Sequence, residues 1–421
     1  MKRFSIEEIV ETARCNAPFY REFYRELPSE PALASLPVID QTAFWDAHGR
    51  DRQNVLTGPL AGGMVLNSGG SSGKPKFSYV TRSEYSSSME VSAMAFSSAG
   101  LKEGHRIINL FPSGDLYAAF LTATHSLDKM EAEVLHFPMG FLSTDEFVFK
   151  IMADFGVNVV AGMPSRLYNL FLYLLEQNAR IDLDLILFAG EPFFPDQVKV
   201  IKKLFPNAKI RSLGYGSVDG GILAFADDDC CPGEHRAFDG HVILEIVDDE
   251  GNAIVESGIP GAIVITNLVR KLMPIIRYPT GDRGAWIEEV GKKDRKFRLM
   301  GRGNEAARLA DVNVYPAEVL AIANKSKLLE FGRVQLVIRR ASELDHLTVL
   351  LVTDQAIGHT LEAEEILKDR LLAAQPVLQK MTAAKLIAPI DVVIGQSRDL
   401  ILNPKTGKAL NVVDLRHLTI A

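Results

Sequence analysis

Between residues 158 and 213, short strand-like runs alternate with longer helical segments, and no other feature of the chain constrains its fold as much. Residues 158–161, 185–189 and 209–213 read as strands, and 165–178 and 194–204 read as helices between them. A regular alternation of strands and helices forms a sheet with helices packed on it, so the expected fold class is α/β.

Upstream, residues 5–27 read as one helix, because Ile6, Ile9, Val10, Ala13 and Ala17 fall near helical spacing. Pro28, Pro31 and Pro37 then break the chain. Downstream, 241–248 and 253–255 flank Asp249, Glu250, Gly251 and Asn252, which read as a hairpin turn, and 261–267 reads as a further strand. An antiparallel element is therefore expected after the α/β part. A smaller unit is expected to begin after Arg302. In it 316–323 reads as a helix, with Pro316 at an early position and Glu318 complementing the helix dipole. Residues 334–339, 346–353 and 391–395 read as strands and 361–372 as a helix. The expected domains are 1–301, large and α/β, and 302–421, a compact α+β cap. No internal repeat or low-complexity segment is visible.

The chain has 421 residues, 47% hydrophobic and 24% charged, which is ordinary for a soluble protein of two to three domains. Lys plus Arg is 46 against 53 for Asp plus Glu, a net charge of −7. This argues against a nucleic-acid binder that works through a global basic field, though not against a local cationic pocket for one small anion. After Met1, Lys2 and Arg3 the sequence turns acidic at Glu7 and Glu8, where a signal peptide would become apolar. The longest uncharged stretch, 53–73, is rich in Gly, Asn and Ser and reads as loop and turn, not as a membrane span. Cys15, Cys230 and Cys231 are too few for a disulfide scaffold, so a reduced compartment is expected. The expected location is cytoplasmic, with no nucleic-acid or membrane partner.

Four local patterns carry chemistry. Residues 68–76 read S-G-G-S-S-G-K-P-K. Small residues with successive backbone N–H groups can wrap an anion, and two lysines add charge. A Walker-type loop would need glycine where Ser68 stands and a hydroxyl where Pro75 stands, so that class is excluded. By composition alone a flexible surface loop explains the segment as well. Residues 212–221 read S-L-G-Y-G-S-V-D-G-G at the end of an expected strand, where α/β sheets place ligands. There Tyr215 could stack on a flat ring and Asp219 could hold a metal ion; a tight turn is the plain alternative. A nucleophile elbow would need glycine at position 215. Residues 277–284 read R-Y-P-T-G-D-R-G, with Gly301 and Arg302 downstream. A carboxylate after a glycine turn suits vicinal hydroxyls such as those of a ribose; a salt-bridged hairpin is the alternative. Residues 403–408 read N-P-K-T-G-K, where a lysine on a glycine turn can reach a distant site; a solvated tail turn is the alternative.

In this order the patterns resemble the motifs of the adenylate-forming superfamily, which includes acyl-CoA synthetases, peptide-synthetase adenylation domains and firefly luciferases. The phenylacetate–CoA ligase-like branch is the most similar. That branch reads T-S-G-T-T-G-K-P, Y-G-x-T-E, R-Y-x-T-G-D, G-R-x-D-D with G-V-N-V-x-P, and a C-terminal G-K before a V-V-D-like segment. The counterparts here are residues 68–75, 215–219, 277–282, 301–305 with 312–316, and 407–408 with 412–414. Residues 17–21, 36–38 and 189–192 are similar too, so the resemblance spans 10–415.

The resemblance implies a large N-terminal multi-subdomain α/β adenylation domain with a small C-terminal α+β cap. It also implies residue roles. Ser71, Ser72, Gly73 and Lys74 belong to a mobile triphosphate loop. Gly190, Glu191 and Pro192 border the adenine, and Tyr215 stacks on it beside Gly216. Asp219, where the family usually has glutamate, holds Mg2+. Asp282 holds the ribose hydroxyls, helped by Arg302. Lys408 bridges the acyl carboxylate and the phosphate, with Lys74 as the second catalytic lysine. Asn304 and Glu305 replace the usual aspartate pair at the hinge. Asp311 stands where the family has a glycine beside the thiol tunnel.

The implied cofactors are ATP, Mg2+ and CoA. The implied reaction activates a small aromatic carboxylic acid to an acyl-adenylate with release of pyrophosphate, then transfers the acyl group to a thiol, CoA by default. Two anions must meet, so cations and oriented N–H groups must neutralise the developing charge. The alternative is an adenylating protein of a phenazine-like biosynthetic pathway that loads a carrier protein or another acceptor, which the side chain of Asp311 favours. A non-catalytic AMP-binding module is disfavoured, because Lys74, Asp282, Arg302 and Lys408 are all present. A homodimer stays open. So does a zinc site at Cys230, Cys231, His235 and His241, against which a strand-to-strand loop is weighed. Tyr117, Phe120, His125, His136 and Phe137 either line an acyl pocket or are plain core.

Overall fold

The computed structural model describes residues 3–68, 76–190, 192–193, 195–302, 306–310, 312–341, 343–353, 360–396, 399–401 and 410–416. The alternating region forms a five-stranded parallel sheet in the order Leu135–Pro138, Arg106–Asn109, Val159–Gly162, Leu185–Phe188, Lys209–Ser212. Successive residues of each strand feed opposite layers. Ile107, Val159, Ala161, Leu185 and Leu187 pack with Phe96, Ala123 and Leu127 of helices Arg82–Ser98 and Ala119–Leu127. Ile108, Val160 and Ile186 pack with Val148, Met152, Leu167, Phe171 and Ile201 of the three helices Asp145–Phe155, Pro164–Glu176 and Pro195–Leu204. Burial on both faces is why the strands Val159–Gly162 and Leu185–Phe188 are apolar throughout. The chain runs from 106–109 outward to 135–138 and then returns to the other side at 159–162, so the strand order reverses there. Open α/β sheets bind ligands outside the carboxyl ends of strands near such a reversal.

A seven-stranded sheet follows, in the order Val242–Val247, Pro260–Asn267, Tyr278–Trp286, Lys296–Arg302, Glu234–Ala237, Gly221–Phe225, Tyr215–Ser217. Its core side chains Tyr278 and Phe297 pack with Tyr20, Tyr24 and Phe44 from the N-terminal helices. Two expectations are corrected in this unit. Residues 5–27 form two helices, Ile6–Asn16 and Pro18–Phe23. Pro18 disfavours helical backbone at the residue before it, and Ala17 is extended at φ −103°, ψ 116°. The turn at 249–252 exists, closed by Asp248 accepting from the Glu250 and Asn252 N–H groups. Its return strand is reduced to the single bridge Val247–Ala253, and Val242–Val247 pairs with Pro260–Asn267 instead. The Ile254 carbonyl accepts from the Trp286 indole rather than completing a ladder.

By contacts the larger unit runs to Gly301 and the smaller from Arg302. The smaller unit has a four-stranded sheet in the order Asp391–Gly395, Leu344–Val352, Arg333–Ala341, Val412–Asp414, the middle pair antiparallel and each outer strand parallel to its neighbour. Val319, Leu336, Leu347, Leu367 and Leu378 join helices Pro316–Lys325, Thr360–Ala374 and Pro376–Ala383 to that sheet. The expected α/β fold with a smaller α+β unit is what the chain adopts. Among the described residues no helix is long and apolar enough to cross a membrane.

Candidate active site

Two strands of the parallel sheet deliver expected nucleotide contacts at their carboxyl ends. After Leu185–Phe188 comes Gly190, in left-handed backbone at φ +92°, and then the exposed Pro192. After Lys209–Ser212 the chain turns into Tyr215–Ser217, pressed against Gly221–Phe225. A Cβ at Gly214 would lie 2.0 Å from the Ala224 carbonyl oxygen, and one at Gly216 would lie 2.7 Å from that of Gly221. The glycines that mark this motif are thus required by backbone contact. The Tyr215 hydroxyl donates to Asp282 Oδ2 at 2.6 Å, joining residues 67 apart in the chain. The Asp282 N–H donates to Thr280 Oγ1 at 3.2 Å, inside the strand Tyr278–Trp286.

Asp219 follows Tyr215–Ser217 and is 9% exposed. Its Oδ2 accepts from the Tyr278 hydroxyl at 2.9 Å, and Tyr278 Oη accepts from Trp45 Nε1 at 2.8 Å. Its main-chain carbonyl accepts from Arg270 Nη1 at 2.7 Å. Arg270 is 2% exposed, and its Nη2 donates to Ser78 Oγ at 2.8 Å and to the Tyr79 carbonyl at 3.2 Å. Burial pulls the Arg270 pKa down, and the charges of Glu84 and Asp219 oppose that pull. Glu84 is buried and accepts the Thr81, Lys271 and Leu272 N–H groups. Arg270 therefore ties Asp219 to the strand Lys76–Val80, which pairs with Met64–Ser68 on the far side of the glycine-rich segment. Sequence reasoning missed Arg270, Trp45 and Glu84. Only Glu84 left a signal, three residues after Thr81 in a capping box.

Asp219 Oδ1 is buried without a hydrogen-bond partner among the described residues, which is the kind of oxygen a cation would take up. Among the described residues no group of three or more His, Cys, Asp or Glu side chains could hold a metal ion. The single Asp219 carboxylate fits Mg2+, which is commonly bound by one or two carboxylates together with water and phosphate. Zinc does not fit at Cys230, Cys231, His235 and His241. Burial pushes the Cys230 thiol up to about 11, and His235 Nε2 is instead 3.1 Å from Ser212 Oγ beside Tyr215. The aromatic set also divides. Phe120 packs in one layer of the parallel sheet and Phe137 in the other, while His125 Nδ1 pairs with the Tyr85 hydroxyl at 2.8 Å.

His235 and His241 are buried, and that burial holds both down to about 4. In the unfolded chain each binds a proton near 6.5. As pH falls the unfolded state is protonated first, so the stability tied to these groups is whole above 6.5 and lost between 6.5 and 4. The loss is about 3 kcal/mol apiece. Neither ring nitrogen of His241 has a hydrogen-bond partner among the described residues, so His241→Phe should hold stability at pH 7 and flatten the acid slope by about one proton. Urea titrations from pH 7 to pH 4 read both quantities; an unchanged slope would contradict the assignment.

Ser71, Ser72, Gly73, Lys74, Glu191, Asn304, Glu305, Asp311 and Lys408 lie outside the described residues. Arg302 ends the strand Lys296–Arg302, and its side chain is likewise outside them.

No family model matches the chain. It is 24% identical to a phenylacetate–coenzyme A ligase of Thermus thermophilus over 425 residues, covering 95% of this chain and 92% of that protein. It is 24% identical to an indoleacetate–lysine synthetase of Pseudomonas savastanoi over 280 residues, covering 63% of this chain and 65% of that protein. The solved structure of a 2-hydroxyisobutyryl-CoA ligase in complex with 2-HIB-AMP and CoA has the same fold, with a TM-score of 0.75 at 20% identity over 97% of this chain and 87% of that one. The ordered motifs, the strand-end glycines, and a fold and sequence likeness that run nearly end to end make the chain similar to the adenylate-forming enzymes of the phenylacetate–CoA ligase-like branch.

Proposed function

We propose that the chain is an adenylate-forming ligase that uses ATP to activate a small carboxylic acid and passes the acyl group to coenzyme A. The observation that carries this is the Tyr215–Asp282 bond at the carboxyl end of the parallel sheet, which joins a residue suited to a base with one suited to a ribose. The acid oxygen attacks the α-phosphorus and pyrophosphate leaves. The thiol sulfur then attacks the acyl carbon, and AMP leaves with the bridging oxygen. Tyr215 stacks on the adenine between Gly190, Glu191, Pro192 and Gly216. Asp282, with Arg302, holds the ribose. Ser71, Ser72, Gly73 and Lys74 receive the triphosphate, and Lys408 meets the two reacting anions. Mg2+ on Asp219 would neutralise phosphate charge.

The finer reading takes an aromatic acid, in line with the phenylacetate–CoA ligase that the chain resembles. The likeness to the indoleacetate–lysine synthetase keeps a second acceptor class in view, an amine or a carrier-protein thiol. ATP–pyrophosphate exchange over aryl and short aliphatic acids, followed by product mass with CoA or lysine, separates these. Exchange with aryl acids and an acyl-CoA product is the expected result; no exchange with any acid would end the reading.

Asp282→Ala should weaken ATP and AMP binding by roughly 1.5–3 kcal/mol, ten- to hundredfold, because hydrogen bonds to a charged group are lost and two ribose hydroxyls are left unpaired. Calorimetry checks this, and a 2′,3′-dideoxy nucleotide should show the same loss on the unaltered protein. Unchanged affinity would remove Asp282 from the site.

A further inference from the structure

We infer that Trp45 and Tyr278 are positioning residues for Asp219, forming a two-step hydrogen-bond relay that fixes one carboxylate oxygen and leaves the other for a nucleotide-bound Mg2+. The inference rests on the adenylate-forming reading for the identity of the nucleotide.

Proton directions along the relay follow from the groups themselves. An indole N–H only donates and an ionised carboxylate only accepts. Trp45 Nε1 at 2.8 Å therefore occupies Tyr278 Oη as acceptor, and the hydroxyl proton of Tyr278 goes to Asp219 Oδ2 at 2.9 Å. Each link is held from its own element. Trp45 sits on helix Gln41–Arg50, whose N-cap Asp40 accepts from the Thr42 and Ala43 N–H groups, and its ring packs edge-on against Phe44 with the Lys76 ammonium 5.5 Å from its centroid. Tyr278 is 1% exposed and begins the strand Tyr278–Trp286. Arg270, the nearby cation, spends Nη1 on the main-chain carbonyl of Asp219 and not on its carboxylate. The result is a buried carboxylate with Oδ2 fixed and Oδ1 unpartnered among the described residues. Leaving a buried oxygen unpaired costs free energy, so such an atom calls for an explanation. A cation that brings its own phosphate and water ligands supplies one. Partners that orient a ligand carboxylate typically contribute ten- to a hundredfold in metal affinity.

The chain has two tryptophans. In a Trp286→Phe background, Trp45 alone reports on the relay. MgCl2 is titrated into protein saturated with α,β-methylene-ATP, without acid, and followed by Trp45 emission and by calorimetry. Mg2+ should change the emission with a single midpoint. Asp219→Asn should abolish that change. Tyr278→Phe should raise the calorimetric midpoint roughly ten- to a hundredfold with metal-free nucleotide affinity held. Trp45→Phe, which keeps Tyr278, should raise it by a smaller factor and serves if Tyr278→Phe does not fold. A midpoint unmoved in the folded variants, or emission indifferent to Mg2+ while the nucleotide binds, overturns the relay alone. Failure of the nucleotide to bind at all overturns both the relay and the reading it rests on.

Discussion

Lys408→Ala is expected to lower adenylate formation by orders of magnitude while fold and ATP affinity stay close to native. A lysine that meets the attacking carboxylate and the α-phosphate acts chiefly where their charges converge, in the transition state, so its loss falls on the rate and not on ground-state binding. Among the described residues, those that flank position 408 are held without the lysine. The side chain of Gln335, buried in the strand Arg333–Ala341, donates to the Ile401 carbonyl at 2.9 Å and the Leu410 carbonyl at 2.7 Å, and accepts from the Ile401 N–H at 2.9 Å. One amide thus holds both Ile401 and Leu410. Exchange kinetics set beside nucleotide calorimetry test the role. Exchange within a few-fold of the unaltered protein would remove Lys408 from the chemistry.

Arg270→Met should cost about 3–5 kcal/mol of stability, the scale for breaking a buried charge cluster by removing one partner. The methionine fills much of the volume but leaves the Asp219 carbonyl, the Ser78 hydroxyl and the Tyr79 carbonyl without their donor. It also leaves the buried carboxylates of Glu84 and Asp219 without their counter-charge. Arg270→Lys should recover little, since a compact ammonium cannot span acceptors that the planar guanidinium reaches together. Urea denaturation at pH 7 reads the change. A loss below about 1 kcal/mol would mean that the cluster is not the clamp described here.

The parts of this fold legible in the sequence were those set by local pattern. The strands at 159–162 and 185–188 could be read because burial on both faces leaves them uninterrupted apolar runs. The hairpin at 249–252 was misread at its return strand because a turn specifies a reversal and not the partner: Pro260–Asn267 takes the edge that 253–255 was expected to fill. The N-terminal helix was read through Pro18 because its apolar spacing continues across the break. At the site, Tyr215, Asp219 and Asp282 stood out singly through their glycine-rich surroundings. Their partners did not, because nothing local marks Trp45 as the donor to a tyrosine 233 residues away, or Arg270 as the donor to Ser78, 192 residues away.

The central claim is that the acid passes through an acyl-adenylate, and oxygen transfer tests it most directly. An acid labelled with 18O in its carboxylate is turned over with ATP and CoA, and the AMP and phosphate products are weighed. Attack on the α-phosphorus followed by thiolysis at the acyl carbon leaves one labelled oxygen in AMP and none in pyrophosphate, which is the result predicted. Label in inorganic phosphate with ADP as co-product would mean an acyl-phosphate route and would contradict the account.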